Sequence, residues 1–411
     1  MFLKEISKKE FDNFNFENRS FYQTSQYGTL MSKHKFKDFY VGFFNEENQI
    51  IAASLILTQK IIGNFYFAYA PRGFLIDYNN FELLKSFLIN LKNLLDRKKI
   101  LYLKIDPLIK HIDRKEKTDN LKIISNLKKL QFDHFGFNLY FESLKPRWNA
   151  ILHTNDSVKN IYNSFDKKTK YKIQNAIKKG IKIEKGDLID VNTFYSLINK
   201  KHTRKLDYYT DLYEHFKDNP SFDIYFAKIN VESFLKNFTS LYQNELEKNE
   251  YLLENLKNHK NDKVLNKKIE SDKLLNVYKN YIVLATKLMS SQKKEITIAT
   301  NAIIKFNKEV FFLIDGIDNK FNNFNANYLL KWKIIKKYSQ EGFNVFNFNG
   351  ITGNFDKKSK YYNLYEFKKG FNTEIVEYIG EFNIIINKLR LKSYIVLKNL
   401  ENLFNPNLKK R

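Results

Sequence analysis

The chain has no cysteine in 411 residues. That excludes a disulfide framework, a cysteine-based zinc site and a thiol nucleophile. Proline (5) and glycine (13) are scarce, which argues against collagen-like or long flexible-linker architectures. No internal repeat of fixed period is visible. Long apolar runs are missing as well: Ile50 to Thr58 is one of the longest, far below the roughly 20 residues that a membrane-spanning helix needs. The opening MFLKEISKKEF lacks the apolar core of a signal peptide. A cytoplasmic protein is expected, with electrostatic contact to a membrane surface left open. Negative charge is in deficit, since 70 Lys+Arg stand against 45 Asp+Glu for a net charge of +25. Such a balance favours polyanionic partners: nucleic acid, anionic lipid or phosphorylated substrates. High Lys, Asn, Ile and Phe also fit an A+T-rich genome, which would raise the lysine count without function; both readings stand at this point.

What is abundant is aromatic. Phe (38) and Tyr (26) bring the aromatic content to 16% and the hydrophobic content to 43%, enough for real cores. A length of 411 favours two domains. Residues 39–44, 50–58 and 63–69 read as strands, being aromatic and β-branched between turn signals. Phe81 to Leu95 has near-3.6 apolar spacing and reads as a helix. Ile100 to Ile105 is a buried strand ended by Asp106-Pro107, and Leu121 to Leu130 is another helix. Trp148 to His153 opens a second unit. Val158 to Gly180 reads as helical with Gly180 as its C-cap, followed by helices over 187–201 and 207–216 and a strand over 222–229. Residues 296–307, 310–315 and 344–349 and a helix over 327–342 resume the pattern. Mixed strands and helices of this kind predict an α/β (α+β) layer fold.

Residues 233–290 differ in kind, with no Gly or Pro. Leu235, Phe238, Tyr242, Glu245, Asn249, Leu252 and Leu256 alternate spacings of three and four, a coiled-coil seam with two polar positions. Asn258-His259-Lys260-Asn261-Asp262 is a polar reversal, and Val264, Ser271, Leu274, Tyr278 and Tyr281 form a weaker return seam. This predicts an antiparallel helical hairpin with arms of roughly 40 Å at 1.5 Å per residue. Familiar catalytic constellations are missing. The seven histidines, His34, His111, His134, His153, His202, His215 and His259, show no zinc spacing, and neither a phosphate-binding glycine loop nor a G-x-S-x-G elbow occurs.

Several segments, taken together and in order, resemble the Fem (FemABX) peptidyltransferase family. They are Tyr69-Ala70-Pro71-Arg72-Gly73 with Asp77; Lys104-Ile105-Asp106-Pro107; Pro146-Arg147-Trp148; FDKKTKYKIQNAIKKG over 165–180; Tyr328 to Trp332; FNFNG over 346–350; and YYNLYEFKKGFNTEIVEYIGEF over 361–382. The resemblance implies two acetyltransferase-like (GNAT-like) domains. They would span 1–145, with 366–411 packing back on it, and 146–365, with the hairpin at 233–290 inserted in the second. It implies transfer of an amino acid from aminoacyl-tRNA, as co-substrate and without a cofactor, to the stem-peptide amine of a peptidoglycan precursor, either lipid II or UDP-MurNAc-pentapeptide. Gly, Ala or Ser is the expected donor residue.

In that family a Phe-Lys pair lies at the reaction centre, so Phe367 and Lys368 are the expected equivalents, in a turn between two strand-like runs. Lys368 would supply charge to the oxyanion of the tetrahedral intermediate. Asp106 would position or deprotonate the amine, or else be a turn-forming Asp-Pro. Arg72 and Arg204 would bind the diphosphate, with Tyr69, Tyr209 and Trp332 as further substrate contacts. Met31 falls where the family carries a lysine, for which Lys33 would substitute. Asn347 stands where aspartate is common and Asn372 where glycine is common. The lysines of the basic helix, Lys167, Lys168, Lys170, Lys172, Lys178 and Lys179, would meet the tRNA backbone or form a solvated face. The hairpin is a second expected RNA contact. Two rivals remain. One is an acyl-CoA N-acyltransferase, disfavoured by the missing glycine-rich pyrophosphate turn. The other is an RNA- or membrane-binding protein that kept the fold without the chemistry.

Overall fold

Alternating aromatic and β-branched residues turn the N-terminal part of the chain into an antiparallel meander. In the computed structural model, residues 1–113, 118–199, 204–258, 261–290 and 292–404 are described. The first half contains β1 (Phe2–Ile6), α1 (Lys8–Asn13), α2 (Ser25–Lys33), β2 (Lys37–Phe44), β3 (Ile50–Ile62), β4 (Phe65–Ala70), α3 (Phe81–Arg97) and β5 (Ile100–Ile105). β6 (Ile112–Asp113), β7 (Thr118–Asp119), α4 (Leu121–Lys129) and β8 (Asp133–His134) follow. The Asn80 side chain caps α3 by accepting from the Leu83 amide. Leu84, Phe87, Leu88, Leu91 and Leu95 line its buried face, each contributing ~1.5–3 kcal/mol by leaving water.

The second half contains β9 (Trp148–His153), α5 (Val158–Ser164), α6 (Lys167–Lys178), β10 (Lys182–Gly186), α7 (Val191–Ile198), α8 (Leu206–His215) and β11 (Ser221–Asn230). Then come α9 (Val231–Asn258), α10 (Asp262–Ser290), β12 (Glu295–Phe306), β13 (Glu309–Ile317), α11 (Ala326–Gln340), β14 (Val345–Ile351), α12 (Tyr362–Lys369) and β15 (Glu374–Glu377). β16 (Phe382–Ile385) and α13 (Lys388–Phe404) close the chain's described part.

The two sheets repeat one plan. The first runs β1-β2-β3-β4-β5-β16-β8 and the second β10-β11-β12-β13-β14-β9-β15. Each is an antiparallel run interrupted by one parallel pair, β4 with β5 and β13 with β14. In each a helix, α3 or α11, makes the crossover that a parallel pair requires. The second parallel pair holds register only from Glu309–Val345 to Phe311–Asn347, and β14 then bulges between Asn347 and Gly350. Four clusters of buried side chains result among the described residues: one on the first sheet, one on the second, one between the halves, and a small one of Ile151, Val376 and Tyr378. In the one between the halves, Phe21, Tyr22, Tyr27 and Leu30 meet Phe194, Tyr209, Leu212, Phe216 and Phe311.

Three sequence expectations need correction. The long helix over 158–180 is two helices, because Asp166 stops one and caps the next, accepting from the Thr169 amide. Phe367 and Lys368 lie on α12 rather than in a turn between strands. Residues 366–377, expected with the first domain, lie on the second sheet: Phe371 is in its core and β15 pairs with β9. The chain returns to the first sheet only at β16, which pairs with β5 and β8.

The expected hairpin is present as α9 and α10, with Phe238 packed against Tyr278 and Tyr281. All seven residues of the first seam and all five of the second are buried or half-buried. Of the expected reversal, His259 and Lys260 lie outside the described residues, as does His202.

Candidate functional site

β4 and β5 end side by side, and their ends deliver the first charged pair. Tyr69 is the penultimate residue of β4, and Asp106 follows β5. Asp106 Oδ1 accepts from the Tyr69 hydroxyl at 3.0 Å and from the Arg72 amide at 2.7 Å. The Arg72 guanidinium lies 3.5 Å from Oδ2, an oxygen that is buried and accepts no hydrogen bond. Burial pushes the Asp106 carboxyl up and Arg72 opposes that shift. The turn is tight: Arg72 has φ +60° and Gly73 φ +84°. A Cβ on Gly73 would sit 2.9 Å from the Pro107 Cα, so glycine is required there. Arg72 also donates to the Pro146 carbonyl at 3.2 Å, tying the first half to the start of the second.

Beside this pair a cavity of about 340 Å³ opens between the halves. Its walls include Tyr22 and Tyr27 from the first half, Leu144 to Pro146 from the connection, and Arg204, Tyr208, Tyr209 and Asn349 from the second. Lys145 and Arg204 are basic residues on its wall, and no carboxylate is found among its described lining residues. The Lys145 ammonium lies 3.9 Å from the Tyr22 ring centroid, and Arg204 stacks 4.0 Å over Tyr208. Burial pushes the Lys145 ammonium down to about 7, with the Arg204 charge adding to the shift and Asp106 opposing it. Lys145 also lines a small cleft shared with Arg72, Asp106 and Tyr378, so cavity and ion pair are neighbours. Two guanidinium groups, Arg204 and Arg72, with the Lys145 amine beside them to take up a proton when an anion arrives, make a site for a multiply charged anion in this half-buried, low-dielectric setting.

Of the residues singled out from sequence, Tyr69, Arg72, Asp106, Arg204 and Tyr209 come together here. Lys33 does not: it pairs with Asp211 at 2.8 Å on the outer surface, while Met31 is buried in the core between the halves. Trp332 packs on Tyr162 and Phe165, and Phe367 on Tyr328 and Phe371; neither lines the cavity. Lys368 is 5% exposed and donates to the carbonyls of Phe348 at 2.5 Å and Gly350 at 2.7 Å. Those carbonyls flank Asn349, so Lys368 clamps the bulge that presents Asn349 to the cavity. Burial pushes its ammonium down to about 7, opposed by Asp315 and reinforced by Lys331.

On α6, Lys167 and Lys168 are exposed, Lys172 donates to the Tyr328 hydroxyl at 2.9 Å, and Lys179, just past the helix, is buried on the Asn323 carbonyl at 2.5 Å. Asn347 is buried and bonded to Glu309, and Asn372 takes the left-handed φ of +58° that suits Gly or Asn. Sequence reasoning missed Lys145, Tyr22 and Tyr208. Lys145 directly precedes the quoted Pro146-Arg147-Trp148, which was its one available signal.

The duplicated layer, each sheet built around one parallel pair, defines a two-part mixed α/β protein with the helices α9 and α10 inserted in its second half. More particularly, the FemAB family model matches residues 6–399, and the chain belongs to that family. Aminoacyltransferase FemA of Staphylococcus epidermidis is 28% identical over 377 residues, 88% of this chain and 90% of that protein. Aminoacyltransferase FemA of Staphylococcus aureus is 26% identical over 420 residues, 98% and 99% of the two chains. The solved structure of FemX superposes with a TM-score of 0.73 at 21% identity, covering 96% of this chain and all of that one.

Proposed function

We propose that this chain moves an amino acid from aminoacyl-tRNA to the stem-peptide amine of a peptidoglycan precursor and so builds an interpeptide bridge. Membership in a family with aminoacyltransferase relatives supports the reaction class. The cavity lined by Arg204 and Lys145, beside Arg72, is the observation that carries the acceptor: it suits the diphosphate common to lipid II and UDP-MurNAc-pentapeptide. A volume of about 340 Å³ fits a polar head group rather than a whole macromolecule.

The amine attacks the ester carbonyl of the aminoacyl-tRNA, the ribose hydroxyl leaves, and one amine proton must go to a base. Asp106 suits that role, because it lines the small cleft beside Lys145 and burial pushes its carboxyl up, with Arg72 opposing the shift. The ester arrives already activated, so no enzyme-bound intermediate is needed. Gly, Ala or Ser is the proposed donor residue. Lys368 acts in this reading as a positioning residue for Asn349, not as the oxyanion donor expected from sequence.

The test is transfer of labelled amino acids from a total charged tRNA pool to lipid-linked and nucleotide-linked precursors. Arg204→Ala is expected to raise the acceptor KM roughly tenfold or more, the usual cost of a lost charged hydrogen bond. Asp106→Asn is expected to lower kcat with little change in KM. Folded wild-type protein that binds charged tRNA yet transfers nothing to either precursor would leave the binding-protein reading in its place.

A further inference from the structure

Residues 135–144, between β8 and β9, form an ordered loop that turns apolar side chains to solvent. Phe135 is 49% exposed, Phe137 45%, Leu139 45%, Tyr140 40%, Phe141 42% and Leu144 54%. Such a cluster is unusual on a soluble surface. The loop is not loosely held. The Phe135 amide donates to the Glu381 carbonyl at 2.9 Å and the Leu144 amide to the Glu381 side chain at 3.1 Å. The Asn138 carbonyl accepts from Arg147 at 2.8 Å and from the Trp148 indole at 3.1 Å. Its polar backbone is spent inward, and its rings are left about half exposed, Phe137 leaning on His111 and Phe141 on Tyr361.

A second segment extends the patch. The Gly353 amide donates to the Leu139 carbonyl at 2.7 Å, Asn354 donates to the Tyr140 hydroxyl at 3.0 Å, and Tyr361 packs on Phe141. That segment adds Phe355, itself 39% exposed, and the exposed Lys357, Lys358 and Lys360. Glu142 and Asp356 are the acidic residues alongside, both exposed.

We propose that this patch docks the protein on an anionic bilayer surface. Aromatic rings with polar tips and lysines on apolar stems are the side chains that settle at the headgroup level. Lysines beside an apolar face add attraction to anionic lipid. The patch is continuous with the cavity, because Leu144 belongs to both. Docked this way, the protein holds the Lys145 and Arg204 cations at the lipid headgroups, where a lipid-linked diphosphate lies. The docking stands on the surface itself. The choice of a lipid-linked acceptor over a nucleotide-linked one rests on the function proposed above.

Flotation of the full-length protein with vesicles separates the two. Wild type is expected to float with vesicles of phosphatidylglycerol and phosphatidylcholine and to stay behind with phosphatidylcholine alone. L139S/F141S should bind the anionic vesicles roughly tenfold more weakly, as loss of buried apolar contact requires, at unchanged circular dichroism. Lys357→Glu with Lys358→Glu, both fully on the surface, should weaken binding in proportion to salt sensitivity. In the transfer assay, L139S/F141S should lose activity on vesicle-borne lipid-linked acceptor and keep it on the nucleotide-linked one. Wild type that ignores anionic vesicles, or variants that float as well as wild type, would overturn the docking whatever the enzyme transfers. So would loss of a lipid-free self-association in L139S/F141S, which would make the patch a contact between copies.

Discussion

A lysine amine buried inside a protein resists protonation even where two carbonyls accept from it, and Lys368 carries that cost in the folded state. Burial brings it to about 7, whereas an unfolded lysine keeps its proton to roughly pH 10.4. Between those limits unfolding takes up a proton, so this group makes the protein more stable as pH rises, by up to about 1.4 kcal/mol per pH unit. Below the folded value the penalty is fully present and flat. Urea unfolding of wild type and Lys368→Met at about pH 7 and pH 9 should therefore show wild type gaining ~2 kcal/mol on the variant. Parallel pH dependence in the two proteins would mean that the amine is charged throughout. The importance of Lys368 was readable from the resemblance, but its surroundings were not, because both carbonyls come from a bulge 18 and 20 residues upstream. Lys145 was passed over for the same reason: nothing in Lys145-Pro146-Arg147 says that the lysine meets Tyr22 and Tyr27.

At the scale of elements, periodicity reported best where one face alone is buried. The hairpin was legible nearly residue by residue, since α9 and α10 each bury a narrow stripe against the other. Of its two polar seam positions one is now explained: Asn249 donates to Ser271 at 3.0 Å and to Asp272 at 2.9 Å, a pairing that fixes the register of the arms, whereas Glu245 pairs with Lys248 on its own helix. Asn249→Ala should cost about 1–2 kcal/mol, the usual penalty for stranding a buried hydroxyl and weakening the packing. Hydrogen exchange should rise across the outer halves of α9 and α10 and not in the sheets. Equal protection in wild type and variant would remove the registry role.

Elements at the N-terminus, α1 and α2 among them, were not assigned from sequence. Both are short; α1 buries only Phe11, against Tyr40 of β2, and α2 lies between the first sheet and α8, so neither shows a long one-faced apolar period. α12 was mistaken for strand because Tyr and Phe are β-prone side chains, and here packing on Tyr328 and Phe355 overrides that preference.

The whole molecule is stapled by the four residues between β15 and β16. Tyr378, Ile379 and Glu381 are at most 5% exposed. The Tyr378 amide donates to the Arg147 carbonyl and the Ile379 amide to the Ile109 carbonyl, both at 2.9 Å, while Lys104 pairs with Glu381. One strand on each side of this staple belongs to a different sheet, and the aromatic cluster between the halves adds a second join. The cavity lies on that join, so its shape depends on both halves staying together. Joined this way, the two sheets are expected to unfold as one cooperative unit despite their separate cores. Phe382→Ala removes a fully buried ring from the first sheet and should cost ~3–5 kcal/mol. If the staple couples the halves, that loss appears equally in the exchange protection of β9 and β14, which Phe382 does not touch, and calorimetry shows one transition in both proteins. Protection of β9 and β14 that survives the substitution unchanged would mean that the halves unfold independently and that the staple is only a linker.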